Sequence, residues 1–188
     1  MIAALYIDPK RGPYASMEGI DPWGVERDAK LYDGPGPVVA HPPCGPWGRL
    51  RWKCYLQDPD CGPRAVEQVL EHGGILEHPA ESLLWKHCGL PRPIPWPEPD
   101  AELPRVWTLE IDQCDWGHAA RKRTWLLMVG VPASALGPRP EAGIPTRTIA
   151  TGRAGRKGKL CLPKSQRHLT PPAFAAWLVS LARSAFTR

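Results

Sequence analysis

Three short segments carry side chains able to do covalent or acid-base chemistry: Pro42-Pro43-Cys44, Glu77-His78-Pro79 and Arg121-Lys122-Arg123. A cysteine preceded by two prolines has little backbone freedom, so its sulfur is aimed before a substrate arrives. Cys44 is therefore a candidate nucleophile, with a buried inert thiol as the alternative use of such a turn. Glu77 offers a carboxyl group for proton transfer or, alternatively, for a strand-end ion pair. The basic run offers a cation for developing negative charge, or a clamp for phosphate. Cys54, Cys61, His87 and Cys88 make a possible zinc set, but the spacing fits no finger or ribbon and no Cys-x-x-Cys is present. No metal is expected.

The elements that position these residues are read from apolar runs and their stops. Residues 3–7, 37–40, 75–79, 106–111 and 124–129 predict strands, and the second and third of these lead directly into Cys44 and Glu77. Residues 64–72 carry an apolar stripe at helical spacing that Gly73-Gly74 ends, residues 80–88 predict a short helix, and residues 173–186 predict a third with Thr170 as N-cap. Residues 91–104 hold six prolines and predict an extended surface loop. Strands alternating with helices imply an α/β fold with a mostly parallel sheet, in which ligands bind beyond the carboxyl ends of the strands.

A length of 188 residues suits one domain, and Pro and Gly make up 42 of them, close to the disordered range. Nine Trp and a full aliphatic set supply the core that disordered chains lack, so the chain reads as globular and loop-rich. No run approaches the roughly 20 apolar residues of a membrane span, which excludes a membrane partner. Six dispersed cysteines predict reduced thiols in a cytoplasm. Charge is unevenly placed: nine basic residues and no acidic one follow Glu141, so with an overall +5 the first 141 residues carry −4. Arg147, Arg153, Arg156, Lys157, Lys159, Lys164 and Arg167 predict a polyanion-binding region, against the plainer use of a solvated basic face. Residues 1–130 are expected to form the catalytic core, 131–166 a basic Gly-rich loop region, and 167–188 a helix packed back on the core.

The order of segments resembles that of the cytosine-C5 DNA methyltransferases. The family's Pro-Cys loop is similar to Pro43-Cys44, and its Glu-Asn-Val to Glu77-His78-Pro79. Its Gln-x-Arg-x-Arg segment resembles residues 115–123, and its late Arg-x-Leu-Thr motif matches Arg167-His168-Leu169-Thr170. The resemblance spans residues 37–170 and implies a reduced Rossmann-like, methyltransferase-type sheet with flanking helices. It implies that Cys44 adds to C6 of cytosine, that Glu77 hydrogen-bonds the ring N3 and exocyclic amine, and that Arg121 or Arg123 meets the base carbonyl. It implies DNA as partner, duplex with a flipped base or single-stranded; the nine tryptophans are core or base-stacking surface, and Trp47 beside the Pro-Cys loop, with Arg49 near it, is the candidate for contact with nucleic acid. It implies S-adenosylmethionine held near Asp8, Asp21 and Trp23, in a DNA-modifying protein of phage or mobile-element type. His41-Pro42-Pro43 also resembles the Asp-Pro-Pro-Tyr loop of amino-group methyltransferases, which the cysteine argues against.

The chain departs from the family at the donor side. The Gly-rich loop after the first strand is replaced by Asp8-Pro9-Lys10-Arg11-Gly12-Pro13, and Gly45 stands where the family has Gln. Two other readings follow: a homologue that binds DNA without catalysis, and a C5-modifying enzyme using another one-carbon donor, such as a folate or a modified adenosylmethionine.

Overall fold

Val38-Val39-Ala40 is apolar throughout and buried at every residue, the pattern of a strand covered on both faces of a parallel sheet. In the computed structural model, which describes residues 1–48, 51–54, 57–149 and 160–185, with only the backbone at Lys164, it is the third strand. Arg49, Arg153, Arg156, Lys157 and Lys159 lie outside the described residues, as does the Lys164 side chain.

Seven described strands form one sheet: β1 (Ile2–Leu5), β2 (Ile20–Trp23), β3 (Val38–Ala40), β4 (Gly74–Pro79), β5 (Pro93–Ile94), β6 (Val106–Asp112) and β7 (Arg123–Val129), in the order β2-β1-β3-β4-β7-β6-β5. Strands β1 to β4 are parallel, β7 is antiparallel to both neighbours, and β5 is parallel to β6. The protein is thus α/β with a mixed, mostly parallel sheet. Helix α1 (Cys61–His72) and the short α2 (Leu83–His87) cover one face; α3 (Pro172–Arg183) covers the other. Alternation along the strands sorts the core: Val39, Ile75, Leu126 and Met128 meet Phe174, Leu178 and Leu181 of α3, whereas Val38, Leu76 and Leu127 meet Ala65, Val66 and Val69 of α1. Each such fully buried large side chain contributes about 1.5–3 kcal/mol.

The entry into β4 is made by two glycines. Gly73 ends α1 at φ 77°, its N–H bonding the Val69 carbonyl at 2.9 Å. Gly74 follows at φ 109°, and a Cβ there would strike the Val38 carbonyl, so only glycine lets β4 start this close to β3.

One strand lies where no element was expected, and two expectations are corrected. Residues 20–23 form an edge strand although Pro22 lies in it, because the outer edge of the sheet needs no donor there. Pro93–Ile94 of the proline-rich stretch adds a short strand at the opposite edge. Helix α3 begins at Pro172 with Pro171 at its N-cap and no side-chain cap bond, so Thr170 does not cap it. Among the described residues no helix is long and apolar enough to cross a membrane. All six cysteines lie among the described residues, and no disulfide joins them.

Candidate active site

Strands β1 and β3 end side by side, with Leu5 opposite Ala40, β4 runs three residues past them to Pro79, and the chain crosses from β2 back past β1 to reach β3. This is the reversal point where parallel sheets open a crevice for ligands. Ala40 ends β3, His41 follows with its N–H on the Leu5 carbonyl at 3.0 Å, and Pro42-Pro43 carry the chain to Cys44. Cys44 is exposed and starts a single 3-10 turn, Gly45–Trp47. Gly45 is pressed against the next turn: a Cβ on it would come within 2.9 Å of the Cys54 side chain. The Cys44 loop is thereby held against residues 51–54.

Glu77 is the fourth residue of β4 and is 8% exposed, in spite of its charge. Both carboxylate oxygens are engaged. Oε2 faces His41 Nδ1 at 3.1 Å, and Oε1 accepts from Gln113 Nε2 at 2.9 Å. The far side of the imidazole, Nε2, meets the buried Tyr14 hydroxyl at 2.7 Å. Gln113 also donates to Thr124 Oγ1 at 3.0 Å, while its Oε1 is buried without a partner. Burial pushes the Glu77 carboxyl up, but the Lys122 charge, the His41 hydrogen bond and the charges of His41 and His78 outweigh it and hold the group down at about 2. Glu77 is an ionised carboxylate. His78, next in the strand, points to the other face toward Trp85; burial lowers its pKa to about 4, with Glu77 and the Pro43 backbone pulling it back up.

The basic run divides. Arg123 donates to both oxygens of Glu110, at 2.9 and 3.1 Å, and to Glu81 at 2.9 Å. Those carboxylates raise its pKa further. Side chains of β7 alternate, so Thr124 joins Gln113 and Glu77 on the α3 face and Arg123 lies with Trp125 on the α1 face. Arg121 is paired with Asp112 at 2.7 Å and is largely exposed. Both arginines line a groove of about 380 Å³ with Trp96, Trp116 and Arg139, a groove that neither Cys44 nor Glu77 lines. Lys122 is the member that acts on the site. Its ammonium has no hydrogen bond or ion pair among the described residues, and its charge bears on Glu77, His78 and Cys44 together. Asp112 Oδ1 fixes its backbone N–H at 2.8 Å. The Cys44 thiol is pushed up by burial of its sulfur and by the Glu77 charge, with Lys122 pulling it down.

Cys44, Glu77 and Lys122 are thus coupled through their charges. Hydrogen bonds set Tyr14, His41 and Gln113 around Glu77; Tyr14 and Gln113 escaped sequence reasoning, and His41 entered it only as part of the His41-Pro42-Pro43 resemblance. The signal for His41 was its place three residues before Cys44; Tyr14 and Gln113 had none.

The donor-side residues form a different arrangement. Asp21 accepts from Trp23 Nε1 at 2.7 Å and from Arg27, whose guanidinium lies 3.8 Å over the Trp23 ring. Partial burial raises the Asp21 carboxyl, and these hydrogen bonds more than offset it. Asp8 closes a local turn onto the Lys10 N–H at 2.9 Å. Residues 6–11 contain no glycine, and Tyr6 takes φ 60°. The first loop keeps one glycine, Gly12 at φ 90° with open space at its Cβ position, and each Asp21 oxygen already accepts one hydrogen bond from its own chain.

Trp47 is half-buried, packed over Gly62 and 4.9 Å from the His87 ring, so it serves the core beneath the Cys44 loop instead of presenting a stacking face. Arg147 is exposed, and its N–H bonds the Ala119 carbonyl at 2.8 Å, which sets it beside the 121–123 run. Arg167 donates to the Leu162 carbonyl at 3.0 Å and to Cys161 Sγ at 3.2 Å.

No protein-family model, curated protein or solved structure matches the chain.

Proposed function

We propose that the protein modifies C5 of a pyrimidine in DNA by covalent catalysis through Cys44, on a reduced Rossmann-like sheet of methyltransferase type. One observation carries this reading: an exposed cysteine four residues past the end of β3 stands beside the adjacent strand β4, whose buried Glu77 carboxylate and the nearby Lys122 bear on its thiol. Those are the nucleophile, the ring-edge partner and the cation that addition to a pyrimidine needs.

In this chemistry the Cys44 thiol loses its proton to solvent and the sulfur bonds to C6. The C5=C6 electron pair moves toward the ring nitrogen or carbonyl, and C5 becomes nucleophilic. C5 then bonds the one-carbon group of an electrophilic donor as that carbon's bond to its leaving group breaks, the leaving group departing with the electron pair. Loss of the C5 proton expels the sulfur and restores the double bond. Glu77 binds the N3 edge, and Lys122 takes the electrostatic role that Arg121 and Arg123, tied to acidic partners, cannot. Arg147 and the basic residues beyond it supply phosphate contacts, and the free thiols support a reducing, cytoplasmic setting.

A fluorine at C5 blocks the last step and traps the adduct. An oligonucleotide containing 5-fluorocytosine, with cell extract as the source of donor, should give a denaturation-resistant complex with the protein that Cys44→Ala abolishes. A second reading, DNA binding without catalysis, is favoured by the raised Cys44 thiol and the closed Asp21 cluster. Salt-sensitive binding with no adduct on cytosine or uracil analogues would establish it.

A further inference from the structure

The turn before β3 and the last turn of α1 meet where β1, β3 and β4 begin, at the end of the sheet opposite Cys44. One carboxylate oxygen of Asp33, one of Glu71 and one imidazole nitrogen of His72 lie there within 4.8 Å of one another. Asp33 and Glu71 are exposed. Among the described residues Asp33 has no ion pair, and Glu71 has only His72. Exposed carboxylates alone mark nothing, and the decisive group is His72. Its side chain is only 10% exposed, and its Nε2 is buried without a hydrogen-bond partner. That nitrogen faces Glu71 Oε2 at 3.9 Å, too far for a hydrogen bond. An imidazole nitrogen and a carboxylate oxygen on one tetrahedral Zn²⁺, each about 2.0–2.2 Å from it, stand roughly 3.4 Å apart. The observed gap is therefore close to that between two ligands of a shared ion.

One residue fixes both the imidazole and the turn that carries Asp33. Tyr32 is buried, and its ring meets the His72 ring edge-on with centroids 5.3 Å apart. Its hydroxyl donates to the Gly36 carbonyl at 3.2 Å and closes the turn. Gly34 lies against the same ring, where a Cβ would come within 2.8 Å of it. Glu71 and His72 are the last two residues of α1, which Gly73 ends.

The geometry points to a binding site for a divalent transition-metal ion, Zn²⁺ foremost, held by Asp33, Glu71 and His72 with water completing its shell. Two carboxylates and a neutral imidazole balance the charge of such an ion, and the ion relieves the repulsion between the carboxylates. The imidazole nitrogen selects against Mg²⁺ and Ca²⁺, which take oxygen ligands, and a set without sulfur selects against softer ions. The ion joins the turn before β3 to the end of α1. The Cys44 loop and nearly all of α1 separate Asp33 from Glu71 in the chain, so no ligand spacing in the sequence announces the site. It lies far along β3 and β4 from the Cys44 loop, and it stands or falls independently of the pyrimidine reading.

The test uses tag-free protein stripped of metal by a chelator. Calorimetric titration with Zn²⁺ should show one tight equivalent. The first equivalent of Co²⁺ should give visible d–d bands without sulfur-to-metal charge transfer, which separates this site from the six thiols. Asp33→Asn and Glu71→Gln keep the shape of exposed side chains. Each should weaken Zn²⁺ binding at least about tenfold, no less than loss of a supporting outer-shell partner does, and His72→Gln should do the same. Without metal, the two carboxylate variants should unfold at the urea midpoint of the unaltered protein or slightly above it, which tells loss of a ligand from loss of the fold. Zn²⁺ should raise the Tm of the unaltered protein and slow amide exchange in residues 32–37 and 69–73, with little change in residues 41–47. Sulfur charge transfer in the first equivalent of Co²⁺, Zn²⁺ affinity unchanged by both carboxylate variants, or no binding of either ion would overturn the site and leave the reading of Cys44 untouched.

Discussion

Gln113 Nε2 lies 2.9 Å from Glu77 Oε1, and the same nitrogen reaches Thr124 Oγ1, so one buried amide ties β7 to the carboxylate of β4. Removing it leaves a buried charge with one donor in place of two. A hydrogen bond to a charged group is worth about 1.5–3 kcal/mol, partly offset because the unpartnered Gln113 Oε1 disappears too. Gln113→Ala is expected to destabilise the fold by about 2 kcal/mol in urea unfolding, with the slope of the transition unchanged. A neutral result would mean that the His41 contact alone satisfies Glu77.

Stability should fall with acid in two stages. His78 titrates at about 4 in the fold against 6.5 when exposed. Its lowered value gives stability that is complete above pH 6.5 and lost as pH falls toward 4. Glu77 is lowered from 4.5 to about 2, so its share is present above pH 4.5 and lost as pH falls toward 2. Each shift corresponds to about 3 kcal/mol. Urea midpoints measured from pH 8 to 2 should show both declines. His78→Leu should remove the upper one and Glu77→Gln the lower, and a midpoint flat between pH 6.5 and 4 would contradict the assignment to His78.

The Cys44 thiol answers to two opposite charges, and thiolate alkylation separates them. Replacing Lys122 by Met removes the cation, raises the thiol pKa further and should slow reaction with iodoacetamide at pH 8 by roughly twofold to fivefold. Glu77→Gln removes the anion and should speed the reaction by a similar factor. Arg123→Gln breaks pairs to Glu110 and Glu81 on the other face and should leave the rate unchanged. Slowing by Arg123→Gln equal to that by the Lys122 variant would return the cationic role to the arginine.

Those contrasts mark what the sequence could show. Cys44 and Glu77 were legible as candidates because apolar runs stopped by prolines mark two neighbouring parallel strands: Cys44 follows β3 by four residues, and Glu77 is the first residue of β4 past the β3 pairing. Lys122 could not be separated from Arg121 and Arg123, because the choice depends on the facing of β7 and on carboxylates at positions 81, 110 and 112. Strand β2 was hidden by Pro22, tolerable only at a sheet edge that the sequence does not reveal. Trp47 looked like a stacking residue beside Cys44, yet glycine at position 62 makes a slot that draws its indole inward. That slot pairs two residues fifteen positions apart, and no periodicity announces it.

DNA binding should be governed by cations without partners in the protein, and Arg147 and Arg123 are opposite cases. Arg147 is exposed, with no ion pair among the described residues, beside the 121–123 run. Arg123 is neutralised by two carboxylates and would have to abandon them to meet a phosphate. If about four side chains contact phosphate, log K for duplex DNA should fall with log salt at a slope of about −3.6. Arg147→Gln removes one contact, so the slope should become shallower by about 0.9, with affinity falling similarly on every DNA sequence because phosphates carry no base identity. Arg123→Gln should leave both slope and affinity close to those of the unaltered protein. Fluorescence anisotropy across a salt series measures the three slopes side by side. An unchanged slope in Arg147→Gln would move the phosphate contacts away from the 119–123 edge, and a salt-independent affinity in the unaltered protein would remove the electrostatic basis for DNA as the partner.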